Sequence, residues 1–187
     1  MIASVTLWIV FTTPAPVSAD MNLFSPEVDY SGETFVLHGQ GTLKYKRIIS
    51  VYDAALYLPP DLAPNQALDD IPRRLEVVYR VAAKADRFAE AGNDVLQRLI
   101  PSEQLDAMRG RVDRIHAWFP DHKKGDRCAI TYIPGRGTEL TYNGESLGVI
   151  EGPDFAYAYF SIWLADDPAC PRLRDALLSN NLGTPPP

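Results

Sequence analysis

The stretch LEVVYRV, Leu75 to Val81, suits a strand, whereas from Asp86 onward the apolar residues of the chain fall three and four apart. A hydrophobic period of two belongs to a sheet and one of 3.6 to a helix, so a single fold must hold both. Asp86 is placed to cap a helix carrying Phe88, Ala91, Val95 and Leu99, and Pro101-Ser102 begins a second with Leu105, Met108, Val112, Ile115 and Phe119 on one stripe. Pro120 ends it. Upstream, Thr34 to His38 alternates as a strand that stops at Gly39-Gln40-Gly41, and Thr42 to Leu58 reads as a long strand or strand pair closed by Pro59-Pro60. Downstream, strands return at Cys128 to Ile133, Glu139 to Tyr142 and Ser146 to Ile150. They are joined by Pro134-Gly135-Arg136-Gly137 and by Asn143-Gly144, a strong hairpin turn. A helix apolar nearly all round, Phe155 to Leu164, and a last one, Pro171 to Leu178, complete the order. Strands, helices, strands, helices describe an α+β domain with a mainly antiparallel sheet.

A chain of 187 residues suits one such domain, and an apolar share of 46% gives it enough core. The net charge of -6 argues against nucleic acid, whose phosphates need clustered Lys and Arg. Residues 1–19 read as a signal peptide: an uncharged apolar run through Leu7 to Phe11, then Val17-Ser18-Ala19 before Asp20. That run is too short to cross roughly 30 Å of hydrocarbon, and no later segment is long and apolar enough to do so. The expected partition is therefore 1–19 signal peptide, 20–32 N-terminal linker, 33–180 domain and 181–187 disordered tail, with the mature protein in the periplasm. In that oxidising compartment Cys128 and Cys170 could pair as a disulfide or remain two separate core thiols.

Gly144-Glu145-Ser146-Leu147-Gly148 spells the G-x-S-x-G of a serine hydrolase. A nucleophile elbow puts a sharp turn at the Ser and a helix after it. Here the turn is two residues early, apolar strand follows, and His38, His116 and His122 all precede Ser146, so the pattern marks a hairpin. Gly39-Gln40-Gly41 lacks the third Gly of a dinucleotide loop, Lys44 standing in its place, and no phosphate loop is present. His116 and His122 are six apart and share no helix face, so neither a metal nor any other cofactor is expected.

The strand from Thr42 to Leu58 is more informative. On a regular strand Lys44, Lys46, Ile48, Ser50 and Tyr52 share one face. A cleft between this sheet and amphipathic helices, with a cation and a phenol at its mouth, could hold an apolar molecule with a carboxylate or phenolate head. The alternative is a solvated Lys44 and a core Tyr52.

Three segments together, LHGQGTLKYKRIISVYDAALYLP, LEVVYRVAAK and YIPGRGTELTYNGESLGVIEGPDFAYAYFSIWLADDP, resemble the bacterial, exported branch of the chalcone isomerase-like family, over about Phe35 to Leu178. The resemblance implies an open-faced β-sandwich: an antiparallel sheet, a layer of helices over one face, and a cleft between them. Chalcone isomerase closes a chalcone to a flavanone using an Arg after a G-x-G, a Thr on the same strand, and a Tyr and an Asn near the following helix. Other members bind fatty acids in the same cleft. In this chain the Arg position falls on Leu43 beside Lys44, and the Thr position falls on Tyr52. No Tyr lies between Tyr79 and Tyr132, and Asn93 is the candidate Asn. Leu for Arg removes the strongest donor for a developing enolate. The expectation is a non-catalytic domain that binds a small hydrophobic ligand such as a fatty acid through Lys44, Tyr52 and Asn93. The alternatives are an isomerase or intramolecular lyase acting on an unsaturated carbonyl compound, and a cell-envelope interaction module whose protein partner the sequence does not name.

Overall fold

The computed structural model of the chain describes residues 23–46, 48–166 and 169–179; the expected signal peptide 1–19 and tail 181–187 lie outside them. Seven strands form one sheet in sequence order, each antiparallel to the next: β1 (Glu27–Tyr30), β2 (Glu33–Tyr45), β3 (Ile49–Leu58), β4 (Arg73–Tyr79), β5 (Arg127–Ile133), β6 (Gly137–Tyr142) and β7 (Glu145–Ile150). Among the described residues there are four α-helices, α1 (Ala85–Leu99), α2 (Ser102–Trp118), α3 (Pro153–Leu164) and α4 (Pro171–Leu178), and a short 3-10 turn at Pro64–Gln66. Among the described residues no helix is long and apolar enough to cross a membrane. The helices cover one face, as the open-faced sandwich requires. Leu56, Leu75, Val77, Ile130 and Leu140 of the sheet share a core with Leu96 of α1, Ile115 of α2, Phe160 of α3 and Leu177 of α4.

The opposite face carries a smaller cluster of Phe24, Phe35, Leu37, Ala55, Tyr57 and Val78. Charge is buried there too, and it is paired. Arg74 donates to Glu76 Oε1 from Nε and Nη2, at 3.0 and 2.8 Å, and Arg127 Nη1 donates to Glu76 Oε2 at 2.7 Å. A buried ion pair is tolerable only when its hydrogen bonds are completed. The N-terminal segment helps to complete them, since Leu23 and Ser25 offer their carbonyls to Arg127 Nη2 and the Tyr57 hydroxyl. Part of the expected linker 20–32 is thus an edge strand, β1, with its start sealing this outer face. Four residues flanked by turn chemistry carry too weak an alternation to announce themselves.

Gly39-Gln40-Gly41 does not end a strand. β2 runs through it to Tyr45, with a bulge between Leu37 and Gly39. The bulge shifts the alternation by one residue. Leu37, opposite Tyr57, packs on the outer face, whereas Gly41 and Leu43, opposite Ala54 and Tyr52, point toward the helices. α4 lies directly on the backbone there: a Cβ on Gly39 would run into the carbonyl oxygens of Ala176 and Leu177, and one on Gly41 would come 2.8 Å from Ala176 Cβ. Close approach is the use of these glycines.

Of the long strand or strand pair expected over Thr42 to Leu58, the chain forms the pair, split by a tight turn in which the Ile48 N–H donates to the Tyr45 carbonyl at 3.1 Å and Lys46 adopts φ +48°. Lys44 therefore pairs with Ser50 across the hairpin, and Leu43 with Tyr52, so the five residues expected on one face do not share one. Asp86 is not the cap of α1. The helix starts at Ala85, whose N–H donates to Asp121 Oδ1 at 3.1 Å, a cap supplied from 36 residues downstream. Ser146 sits on β7 opposite Thr141, after an Asn143-Gly144 turn with φ of +49° and +88°. The hairpin accounts for the pattern.

Candidate functional site

A cavity of about 500 Å³ opens between the sheet and helices α1 and α3. Its floor is built by Tyr52 of β3 and Tyr79 of β4, neighbours that meet edge to face at 6.1 Å. Phe88 and Gly92 of α1 make one wall, and Tyr159, Ile162 and Trp163 of α3 make another. Lys44, Tyr45, Lys46 and Arg87 stand at the rim. Each element arrives with the face its sequence pattern dictates. Phe88 belongs to the 3.6-period stripe of α1, while α3, buried on most sides, brings aromatic side chains to the cavity and the core alike.

The polar groups within these walls are few, and each has a specific state. The Tyr52 hydroxyl accepts a hydrogen bond from Trp163 Nε1 at 2.9 Å, and burial pushes the phenol well above its ordinary range. The Tyr79 hydroxyl lies 3.7 Å from Cys128 Sγ. Burial raises both groups, the thiol to about 12. The Tyr159 hydroxyl is buried without a protein partner, and burial raises it as well. All three phenols are therefore neutral across the physiological range.

His122, from the loop before β5, stacks on Tyr79 at 4.0 Å and meets Phe88 and Phe119 edge-on. Its Nδ1 lies 3.3 Å from the Tyr142 hydroxyl, which donates its hydrogen to Asp126 Oδ2 at 2.6 Å. A hydroxyl has one hydrogen to give. Tyr142 must then accept from His122 Nδ1–H, which leaves Nε2 as the bare lone pair of a neutral imidazole. That atom has no protein partner. Desolvation by burial holds the imidazole below its usual range despite Asp126 and Asp121 nearby.

Of the residues expected to bind a ligand, Lys44 and Tyr52 line this cavity and Asn93 does not. Asn93 follows Gly92 on α1 with its Oδ1 buried and unpartnered, one position off the lining face. Tyr52, 5% exposed, lies on the floor rather than at the mouth, because the turn at Lys46 separates it from the exposed Lys44. Cys128 and Cys170 are both free thiols, the first in the core beneath the floor and the second half-buried and lining the cavity. Among the described residues no three His, Cys, Asp or Glu side chains converge as a metal would require.

Sequence reasoning missed Tyr79, Tyr159, Trp163 and His122. A signal did exist for part of this set. Tyr and Trp in an otherwise apolar helix carry polar atoms that must find a partner when buried, which marks them as residues beside a cavity or a network.

The sequence profile of the family described as chalcone isomerase-like matches residues 19–179. No curated protein sequence matches the chain. Among solved structures, the crystal structure of a fatty-acid binding protein from Arabidopsis thaliana superposes with a TM-score of 0.63 at 14% identity, covering 83% of this chain and 90% of that one. At such identity the likeness is one of fold. The profile match, together with a seven-stranded antiparallel sheet covered on one face by helices, places this chain in the chalcone isomerase-like family.

Proposed function

We propose that the protein binds a fatty acid, or a similar monocarboxylate with an apolar tail, and does not turn it over. The observation that carries this reading is the cavity itself: apolar walls from α1, α3 and the sheet, with Lys44, Lys46 and Arg87 at the rim. Its volume of about 500 Å³ falls within the roughly 300–1,000 Å³ of small-molecule sites. A tail removed from water against Phe88, Ile162 and Trp163 gains about 25 cal/mol per Å² of apolar surface buried, while its carboxylate stays hydrated near the cations. A fatty-acid binding protein that shares this fold supports the same ligand class. The phenols support binding over catalysis. A general acid works best with a pKa near the operating pH, and burial moves Tyr52 away from it. We place this activity in the periplasm, on the signal-like character of residues 1–19. Cell fractionation should then recover a mature chain beginning at Asp20, and full-length protein in the cytoplasm would overturn that placement.

The binding test is displacement of a fluorescent long-chain fatty acid, alongside mass spectrometry of lipids extracted from the purified protein. Wild type is expected to bind, and Lys44→Ala to weaken binding about tenfold. Lys44 is exposed, so the lower end of a charge-assisted hydrogen bond, about 1.5 kcal/mol, applies. Equal affinity in the two proteins would assign the head group elsewhere, and no binding by wild type would end the proposal.

A further inference from the structure

The hairpin joining β2 to β3 brings Lys44, Tyr45, Lys46, Ile48 and Ile49 to one end, with the first three at the cavity mouth. Its turn is held by the Ile48 N–H on the Tyr45 carbonyl, so the tip projects as a shaped unit. Ile48 is 85% exposed, Tyr45 57% and Ile49 50%. Six large hydrophobic residues are exposed among the described residues, and these three fall within five positions, a cluster rather than scatter. Lys44 and Lys46 flank them, and the Lys46 ammonium lies 5.4 Å from the centre of the Tyr45 ring. Lys44, Tyr45 and Lys46 line the cavity, while Ile48 and Ile49 stand outside it.

We propose that this tip docks the protein on an anionic lipid bilayer, with Ile48 and Ile49 entering the interface and the cavity mouth facing the membrane. Aliphatic side chains beside Lys and an aromatic ring are the chemistry of an interfacial anchor: apolar groups enter the headgroup boundary, cations meet lipid phosphates, and Tyr settles between. The chain carries a net charge of -6, which alone would repel an anionic surface. At physiological ionic strength, however, charges beyond about 8 Å are largely screened, so the part nearest the membrane decides. A protein partner suits this feature less well, since a stable interface covers about 800 Å² per side and three side chains on one turn fall well short. Docking would give an apolar ligand a short path between bilayer and cavity. Only that purpose rests on the fatty-acid reading; the docking does not.

Docking is tested with ligand-free protein and sedimented vesicles of phosphatidylcholine alone or with about a third phosphatidylglycerol. Wild type is expected to bind the anionic vesicles more tightly, and the preference should shrink near 1 M salt, where the Debye length is about 3 Å. Ile48→Asp should weaken vesicle binding about ten- to a hundredfold, and Ile48→Ser should weaken it in the same direction without adding charge. Lys46→Ala should cost about fivefold on anionic vesicles only. Both Ile48 variants should keep the wild-type thermal midpoint and, without vesicles, the wild-type affinity for a fluorescent fatty acid. The proposal is overturned if wild type ignores both vesicles, or if Ile48→Asp binds them as wild type does. It is equally overturned if light scattering shows that the tip pairs two copies of the chain while vesicles go unbound. Vesicle docking without fatty-acid binding would uphold this inference and remove the previous one.

Discussion

Tyr159 and Tyr52 line the same cavity and are both buried, yet replacing each with Phe should have opposite effects. The Tyr159 hydroxyl has no protein partner, so its burial forfeits hydration for nothing in return. Tyr159→Phe is expected to raise the unfolding free energy by about 1 kcal/mol. The Tyr52 hydroxyl accepts from Trp163 Nε1. Tyr52→Phe would strand that N–H in the core and should cost about 1–3 kcal/mol. Urea unfolding with an unchanged m-value measures both. If Tyr159→Phe proves destabilising, its hydroxyl has a partner in solution, such as an ordered water. Lys44 and Tyr52 were legible as cavity residues while His122 was not. Lys44 at one end of the stretch and Tyr52 further along suggest a cleft from sequence alone, although Tyr52 lies on its floor and not at its mouth. His122 lies in a polar loop that reads as solvated, and it enters the core only because Tyr79, Phe88 and Phe119 close around it.

At the scale of elements, the contact most sensitive to side-chain size is α4 on β2. Helix and strand approach until backbone meets backbone at Gly39, and side chain meets backbone at Gly41. Gly39→Ala would force a new methyl against two carbonyl oxygens that cannot turn away, whereas Gly41→Ala meets a methyl and the end of Leu173. Overpacking of this kind costs typically about 1–3 kcal/mol, so Gly39→Ala should be the more destabilising of the two. Hydrogen exchange across residues 171–178 should report the loosened helix before the sheet responds. Protection unchanged in Gly39→Ala would mean that α4 does not rest on β2 in solution. The glycine pair was visible in the sequence, but a strand stop and a close crossing have the same spelling. Only knowledge of what crosses above decides between them.

The whole molecule should lose stability as the pH falls from about 7 to 5. His38, His116 and His122 are all buried, and in each the cost of burying charge holds the imidazole below its usual range. Unfolded, each takes up a proton near pH 6.5. Their contribution is therefore complete above that pH, where both states are neutral, and it declines below, where the unfolded chain binds protons the folded one refuses. Asp121, Asp126 and Asp154 are also held low, chiefly by hydrogen bonds from Lys84, Tyr142 and Arg111 respectively, but from a lower ordinary value, so their loss belongs to more acid solution, near and below pH 4. Urea midpoints measured at about pH 7.5 and 5.5 should differ, and a level profile over that window would show that the imidazoles are open to water.

From β2 onward the succession of strands and helices followed from the sequence alone, because period two and period 3.6 are local properties of a chain. The hairpin at Asn143-Gly144 followed too, since a turn with two positive φ values selects those residues whatever surrounds it. The family resemblance lay in contiguous blocks, and so it could be read. What the tertiary structure decided was everything that depends on partners far apart in the chain. It gave α1 its cap from Asp121, bulged β2 so that its glycines face α4, and enlisted part of a presumed linker as an edge strand. It also closed the cavity with aromatic residues from α1, α3, β4 and the loop before β5. A side chain's own sequence neighbourhood fixes which way it alternates, but the atoms it meets across the core belong to segments that folding brings together.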